Sequence, residues 1–257
     1  MESVNQKKKC MEVKGLSKTF FGKKEYVTVV DEVDFTVYEG EFLVILGPGR
    51  CGKTVLLNMI AGLETKTDGQ ILYNGKEVQG RNPDLAMVFQ SLALLPFNTV
   101  MENTELPLKL RGISKKERRE TAQRYIDLVG LTGFEKSYPS QLSGGMKQRA
   151  GIARAYTANP KILLMDEPFG QLDAQTRYAM QNEILKIWEK EKRTVIFVTN
   201  NIEEACYLGD RIILMSECPE TVKQIYDLSD IPRPRDMVSD VFLTRRKMIS
   251  DTMELSL

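Results

Sequence analysis

The stretch from Phe42 to Leu63 constrains this chain more than any other. Phe42-Leu43-Val44-Ile45-Leu46 is an apolar, partly β-branched run that suits a strand buried on both faces. Gly47-Pro48-Gly49-Arg50-Cys51-Gly52-Lys53-Thr54 follows, and after it Leu56, Leu57, Ile60 and Leu63 fall at helical spacing. The middle block has the form G-x-x-x-x-G-K-T, the phosphate-binding loop pattern. Its glycines let the backbone curl so that several N–H groups point inward at phosphate oxygens. The helix that follows adds unpaired N–H groups and a positive dipole end. Lys53 brings a mobile positive charge to the β- and γ-phosphates, and the Thr54 hydroxyl can ligate Mg²⁺.

Around this stretch the chain alternates strands and helices. Met11 to Leu16 and Val27 to Tyr38 read as strands, with Val33, Phe35 and Val37 alternating as in a half-buried antiparallel sheet. Phe20 and Phe21 fall between them in a polar loop, either stacking on a flat base or packing at the sheet edge. Asn74-Gly75 marks a hairpin within Gln70 to Val78. Ala86 to Phe89 is a short buried strand ending at Gln90, and the apolar Leu92 to Phe97 after it is either buried or a contact surface. From about 98 to 157 the periodicity is helical, with Ser114 to Glu117 as a capping box and one apolar face of Ala122, Tyr125, Ile126 and Val129. This block reads as a helical lobe inserted into the core. Strands then return at Ile162 to Met165, Thr194 to Val198 and Arg211 to Met215, separated by helices at Ala174 to Lys190 and Ile202 to Leu208. Such alternation predicts an α/β fold with a mostly parallel, covered sheet, an antiparallel β subdomain and the helical lobe. The domain is expected over 1–230, with a helical tail over 231–257 that includes a helix near Phe242 to Ile249.

Composition narrows the chemistry. The 257 residues contain no histidine, which excludes Ser-His and Cys-His mechanisms and His-ligated metals within this chain. A formal charge of +1 provides no overall field for nucleic acid, and no nucleic-acid partner is expected. Cysteines at 10, 51, 206 and 218 form no C-x-x-C pair, so reduced thiols are the default, with Cys51 a small filler in the loop. No run of 18 apolar residues is present, so no membrane span is expected.

The apolar strand ending in Asp166-Glu167 supplies the second half of a nucleotide site. Asp166 at a strand end can hold Mg²⁺ through its water shell. Glu167 points elsewhere and, with histidine absent, is the best candidate general base. Ser143-Gly144-Gly145 reads as a helix cap with two bare glycines, a second anion-binding helix end.

The string Leu142-Ser143-Gly144-Gly145-Met146-Lys147-Gln148-Arg149 resembles the LSGGQ signature of ATP-binding-cassette (ABC) ATPases, with Met146 where Gln is usual. The resemblance covers nearly the whole chain, with its motifs in the family's order. It implies that Gly47 to Val55 and Ser143, Gly144 and Gly145 sandwich ATP across two copies of the chain. It further implies a Q-loop glutamine at Gln90 that senses Mg²⁺ and the attacking water. Asp166 and Glu167 match the Walker B pair, and Asp173 matches the D-loop aspartate. Phe20 matches the adenine-stacking aromatic, with Phe21 as the fallback. Among subfamilies the chain most resembles the ATPases of nitrate/sulfonate/taurine-type importers, through Leu94 to Val100, Asp166 to Gly170 and the Arg233-Pro234-Arg235 tail. That implies an ATPase at the cytoplasmic face of the membrane, energising uptake through a separate permease fed by a solute-binding protein. The loop after Gln90 and the helical lobe would form the permease socket. Two other classes stay open: a soluble, non-transport ABC ATPase, and a regulatory ATP-binding subunit with weak hydrolysis.

Three positions depart from the family pattern. Asn200 stands where the family's switch histidine normally follows the strand, and its amide can donate to a γ-phosphate but carries no charge. Hydrolysis is expected to survive on Glu167 at a lower rate. Arg50 occupies a position that commonly holds Gly, and Val55 one that often holds a hydroxyl residue, whose loss removes about 1 kcal/mol of hydrogen bonding to the α-phosphate.

Overall fold

Alternating buried side chains build the first sheet. The computed structural model describes residues 8–22, 25–49, 52–91, 93–170 and 172–254, and these divide into two units, 1–82 with 194–257 and 83–193. In the first unit β1 (Lys9–Phe21) and β2 (Tyr26–Tyr38) pair antiparallel, burying Met11, Val13 and Leu16 against Val33, Phe35 and Val37. β1 runs farther than the sequence predicts. Phe20 pairs with Val27 and Phe21 with Tyr26, so the two phenylalanines lie in a strand rather than a polar loop. Cross-strand pairs of aromatic and β-branched residues extend the ladder there.

β3 (Phe42–Leu46) is buried at every position, as the apolar run predicts. Helix α1 (Lys53–Ile60) follows the glycine loop. It stops before Leu63, three residues short of the apolar spacing, because Gly62 turns out of the helix at φ 68. A Cβ on Gly62 would collide with the backbone of Gly80, so only glycine permits this approach. β4 (Asp68–Tyr73) and β5 (Lys76–Glu77) form the hairpin announced by Asn74-Gly75, whose φ values of 48 and 76 are those of a type I′ turn. The antiparallel sheet has the order β2-β1-β4-β5.

The second unit begins with β6 (Leu85–Val88), followed by α2 (Val100–Leu110), α3 (Lys115–Leu128) and α4 (Gly144–Thr157). Thr99 and Glu102 form a reciprocal capping box on α2, while Ser114 caps α3 by accepting from the Glu117 N–H. The three helices pack on one another around Ala122, Tyr125, Ile126 and Tyr156, with the two tyrosine rings 5.9 Å apart. β7 (Ile162–Asp166) runs parallel to β6, and α5 (Ala174–Glu191) follows.

The chain returns to the first unit with β8 (Thr194–Thr199), α6 (Ile202–Leu208), β9 (Arg211–Met215) and β10 (Val222–Asp227). β3 lies between β8 and β9 in parallel register, and β10 closes the edge antiparallel to β9. The sequence does not announce β10, because only Tyr226 of its six residues is buried. The tail ends in α7 (Asp240–Glu254), longer than the helix expected near Phe242 to Ile249, and those two residues are its buried anchors two turns apart. Among the described residues no helix is long and apolar enough to cross a membrane.

Candidate nucleotide site

Strand β3 delivers the chain directly into the glycine loop. Gly47 is buried and its N–H donates to the Thr199 carbonyl at 3.4 Å, which fixes the loop's start against the end of β8. Pro48 is half-buried and Gly49 exposed. Arg50 and Cys51 lie outside the described residues. Gly52, at φ 121, is the N-cap of α1 and occupies backbone space that L side chains rarely adopt. A Cβ there would also come within 2.9 Å of Val29 Cγ1 and of the Val29 carbonyl oxygen. Lys53 is 3% exposed, and its Nζ donates to the Pro48 carbonyl at 2.5 Å, so the ammonium curls back over the loop it belongs to. Thr54 is exposed in the first turn of α1 and Val55 half-buried. A helix N-terminus and an ammonium folded over the loop are the groups that an anion cradle uses.

At the end of β1 in the first unit, Phe20 is 40% and Phe21 70% exposed. The Lys18 ammonium stands 4.7 Å from the Phe20 ring centroid. Phe21 instead meets Tyr26 edge-on at 5.4 Å. The segment after β8 is tightly held. Thr199 Oγ1 donates to Glu204 Oε2 at 2.6 Å and accepts from the Asn201 N–H at 3.0 Å, while Asn201 Oδ1 caps α6 by accepting from the Glu204 N–H. Asn200 is exposed between these anchored neighbours. Sequence reasoning singled out Asn200 and missed the frame around it. The Asn201…Glu204 spacing, a capping residue followed three places on by an acid, was the available signal.

The second unit carries the other candidates. Gln90 is exposed in the turn after β6. Ser143 is the N-cap of α4, accepting from the Met146 N–H at 3.3 Å, so the helix end expected to bind an anion is also a capped one. Gly145 has a packing reason of its own: a Cβ there would reach Thr176 Cγ2 at 3.0 Å. Gly144 is exposed and meets only Leu172 at ordinary contact distance. Asp166 ends β7 and is 3% exposed. Glu167 is half-buried and sits at φ 40, a left-handed conformation that strains a residue other than glycine. Its carbonyl accepts from the Gly170 N–H at 3.1 Å, closing the turn out of β7. Asp173 is the exposed N-cap of α5; the Thr176 backbone N–H that it accepts holds its carboxyl below the usual value. Of the apolar run after Gln90, Leu92 lies outside the described residues, Leu94 is half-buried, and Leu95 and Phe97 are surface rather than core at 42% and 90% exposed.

Among the described residues no group of three or more His, Cys, Asp or Glu is placed to hold a metal. Thr54 offers a hydroxyl in the first unit and Asp166 a carboxylate in the second, both hard oxygen donors of the kind that Mg²⁺ takes.

The chain resembles known proteins along most of its length. The family model described as ABC transporter matches residues 30–170. An uncharacterised ABC transporter ATP-binding protein of Methanocaldococcus jannaschii is 49% identical over 95% of this chain and 91% of its own. An aliphatic sulfonates import ATP-binding protein of Bacillus cereus is 39% identical over 94% and 95%, and a nitrate import ATP-binding protein of Synechocystis is 42% identical over 83% and 80%. Among solved structures, a dimeric bacterial ABC transporter cassette superposes with a TM-score of 0.75 at 33% identity, covering 85% of this chain and 98% of that one. A dimeric cassette in a post-hydrolysis state bound to ADP and phosphate gives the same TM-score at 32% identity.

Proposed function

Because the chain belongs to the ABC transporter family, we propose a division of labour among its residues in an importer of small oxyanions or sulfonates. The chain is the ATP-binding and ATP-hydrolysing subunit of an ABC transporter and works as a dimer with a membrane permease. The solute class is supported by relatives whose names specify nitrate and aliphatic sulfonates import.

The backbone of Gly47 to Val55, including Arg50 and Cys51, cradles the phosphates, and Lys53 leaves the Pro48 carbonyl for the γ-phosphate. Phe20 stacks on adenine. Thr54, Asp166 and Gln90 are the residues that would hold Mg²⁺, which would supply positive charge against the phosphates. Glu167 accepts the proton of the attacking water. Asn200 donates its amide to the γ-phosphate. Ser143, Gly144 and Gly145 of the second copy close the sandwich, and Asp173 lies next to that seam. Leu95 and Phe97 supply the exposed apolar contact for the permease, which holds the chain at the cytoplasmic face of the membrane. A solute-binding protein on the other side feeds the permease.

One observation carries this assignment. A single chain presents two separate glycine-opened helix N-termini, at Gly52-Lys53 and at Ser143-Gly144, and its solved relatives are dimers. Glu167→Gln is the test. With ATP and Mg²⁺ it should lose hydrolysis and elute as a dimer, while Glu167→Gln with an added Ser143→Arg should stay monomeric. Wild-type turnover in Glu167→Gln removes Glu167 from the base role.

A further inference from the structure

We propose that Lys18 is a positioning residue for nucleotide binding: its ammonium fixes the Phe20 ring from beneath and ties the base-stacking face to the phosphate helix α1. It rests on the proposal that Phe20 meets the adenine. Lys18 is 7% exposed, an unusual place for an ammonium, whose burial is unfavourable unless hydrogen bonds replace its water. Three bonds do so: to Glu64 Oε1 at 2.7 Å, to the Thr65 carbonyl at 2.6 Å and to Thr65 Oγ1 at 3.2 Å. The hydrogen bond from Lys18 holds the Glu64 carboxyl below its usual value. Held in this way, the ammonium lies 4.7 Å from the Phe20 ring centroid, within cation–π range.

Two consequences follow. One face of the Phe20 ring is occupied by a fixed cation, so the exposed portion is the other face, and a ring polarised from below favours an electron-rich aromatic above. A purine is such a partner. Among the described residues no cation stands against Phe21; its ring meets that of Tyr26, itself 77% exposed, in a T-shaped contact at 5.4 Å. The second consequence is mechanical. Glu64 and Thr65 lie in the turn that follows α1, held to the helix by the Leu63 and Glu64 N–H groups, which donate to the Asn58 carbonyl. The cation therefore joins β1 to the C-terminal end of the helix whose N-terminus begins the phosphate cradle. α1 is eight residues, about 12 Å, long, so one side chain sets the base platform against the far end of that helix.

The full chain is titrated with MgATP and, separately, with magnesium tripolyphosphate, which carries the phosphates and no base. Lys18→Met should weaken ATP about fivefold and leave tripolyphosphate within about twofold of wild type, while Lys18→Arg keeps most of the ATP affinity. Phe20→Ala should weaken ATP about tenfold, again with tripolyphosphate unchanged. If Phe20→Ala weakens ATP and Lys18→Met does not, Lys18 has no positioning role although Phe20 still meets the base. If Phe20→Ala changes nothing, the base does not stack on Phe20 and the role of Lys18 falls with it. Equal weakening of both ligands by Lys18→Met also overturns the proposal, since the phosphate cradle itself is then disturbed. Should Lys18→Met fail to fold, Glu64→Gln replaces it: an ATP-only loss of about twofold supports the proposal, and unchanged ATP binding overturns it.

Discussion

Arg235→Met tests the tail most directly. The Arg235 guanidinium is 4% exposed and donates to the carbonyls of Cys206 and Gly209, both at 2.6 Å, and of Leu228 at 2.7 Å. Arg233 donates to the Leu208 carbonyl and pairs with Asp210 at 2.9 Å. Together the two arginines satisfy the carbonyls that the last turn of α6 leaves open. Methionine keeps the apolar stem and removes the donors. The Leu228 carbonyl keeps the Ile231 N–H, so two buried carbonyls, of Cys206 and Gly209, are left unpaired at about 2 kcal/mol each. Against that stands the burial of the cation, whose desolvation pushes the Arg235 guanidinium down to about 10. Removing the cation relieves about 3 kcal/mol. The net loss is then about 1 kcal/mol, or about 3 °C in Tm for a chain of this size. Differential scanning calorimetry of Arg235→Met beside wild type measures it. A midpoint equal to or above that of wild type refutes the reasoning, because it means that the two carbonyls lose the guanidinium at no cost.

Three further outcomes are expected. Gly52→Ala, forced to φ 121 and to 2.9 Å from Val29, should lose about 2 kcal/mol of stability and most ATP affinity, whereas Gly49→Ala, with nothing within 4 Å, should fold normally; thermal melts and ATP titration compare them. Asn200→Ala should lower turnover in the assembled transporter without changing ATP affinity, and unchanged turnover would remove Asn200 from the γ-phosphate. The Thr99 backbone N–H holds the Glu102 carboxyl below its usual 4.5, so its stabilisation of α2 is complete above that pH and is lost as pH falls through the lower folded value. Urea melts from about pH 6 to about pH 3 should therefore show a steeper acid loss for wild type than for Glu102→Gln.

What the sequence revealed and what it hid divide by range. The β3 run, the Asn74-Gly75 turn, α6 and β9 were legible because each depends on a few adjacent residues. The candidate site was legible for the same reason, since its motifs are short strings at the ends of strands and helices. The early end of α1 was hidden because it depends on Gly80, a remote backbone that meets Gly62. β10 escaped notice because an edge strand with exposed Lys223 and Gln224 lacks a two-sided apolar run. The pairing of Lys18 with Phe20 and the grip of Arg235 on α6 leave no periodic trace, because a buried cation is satisfied by whichever carbonyls the fold brings to it.

Glu167 sets backbone and chemistry at odds. At φ 40 the residue that the main chain favours is glycine or asparagine, by about 1 kcal/mol over a longer side chain. Only a carboxylate there serves the proposed proton transfer. A laboratory selection for heat resistance alone would thus drift towards Glu167→Gly or Glu167→Asn, enriching tighter-folding chains that no longer turn over. Thermostability screens of this protein should be run with a hydrolysis readout, or with position 167 held constant.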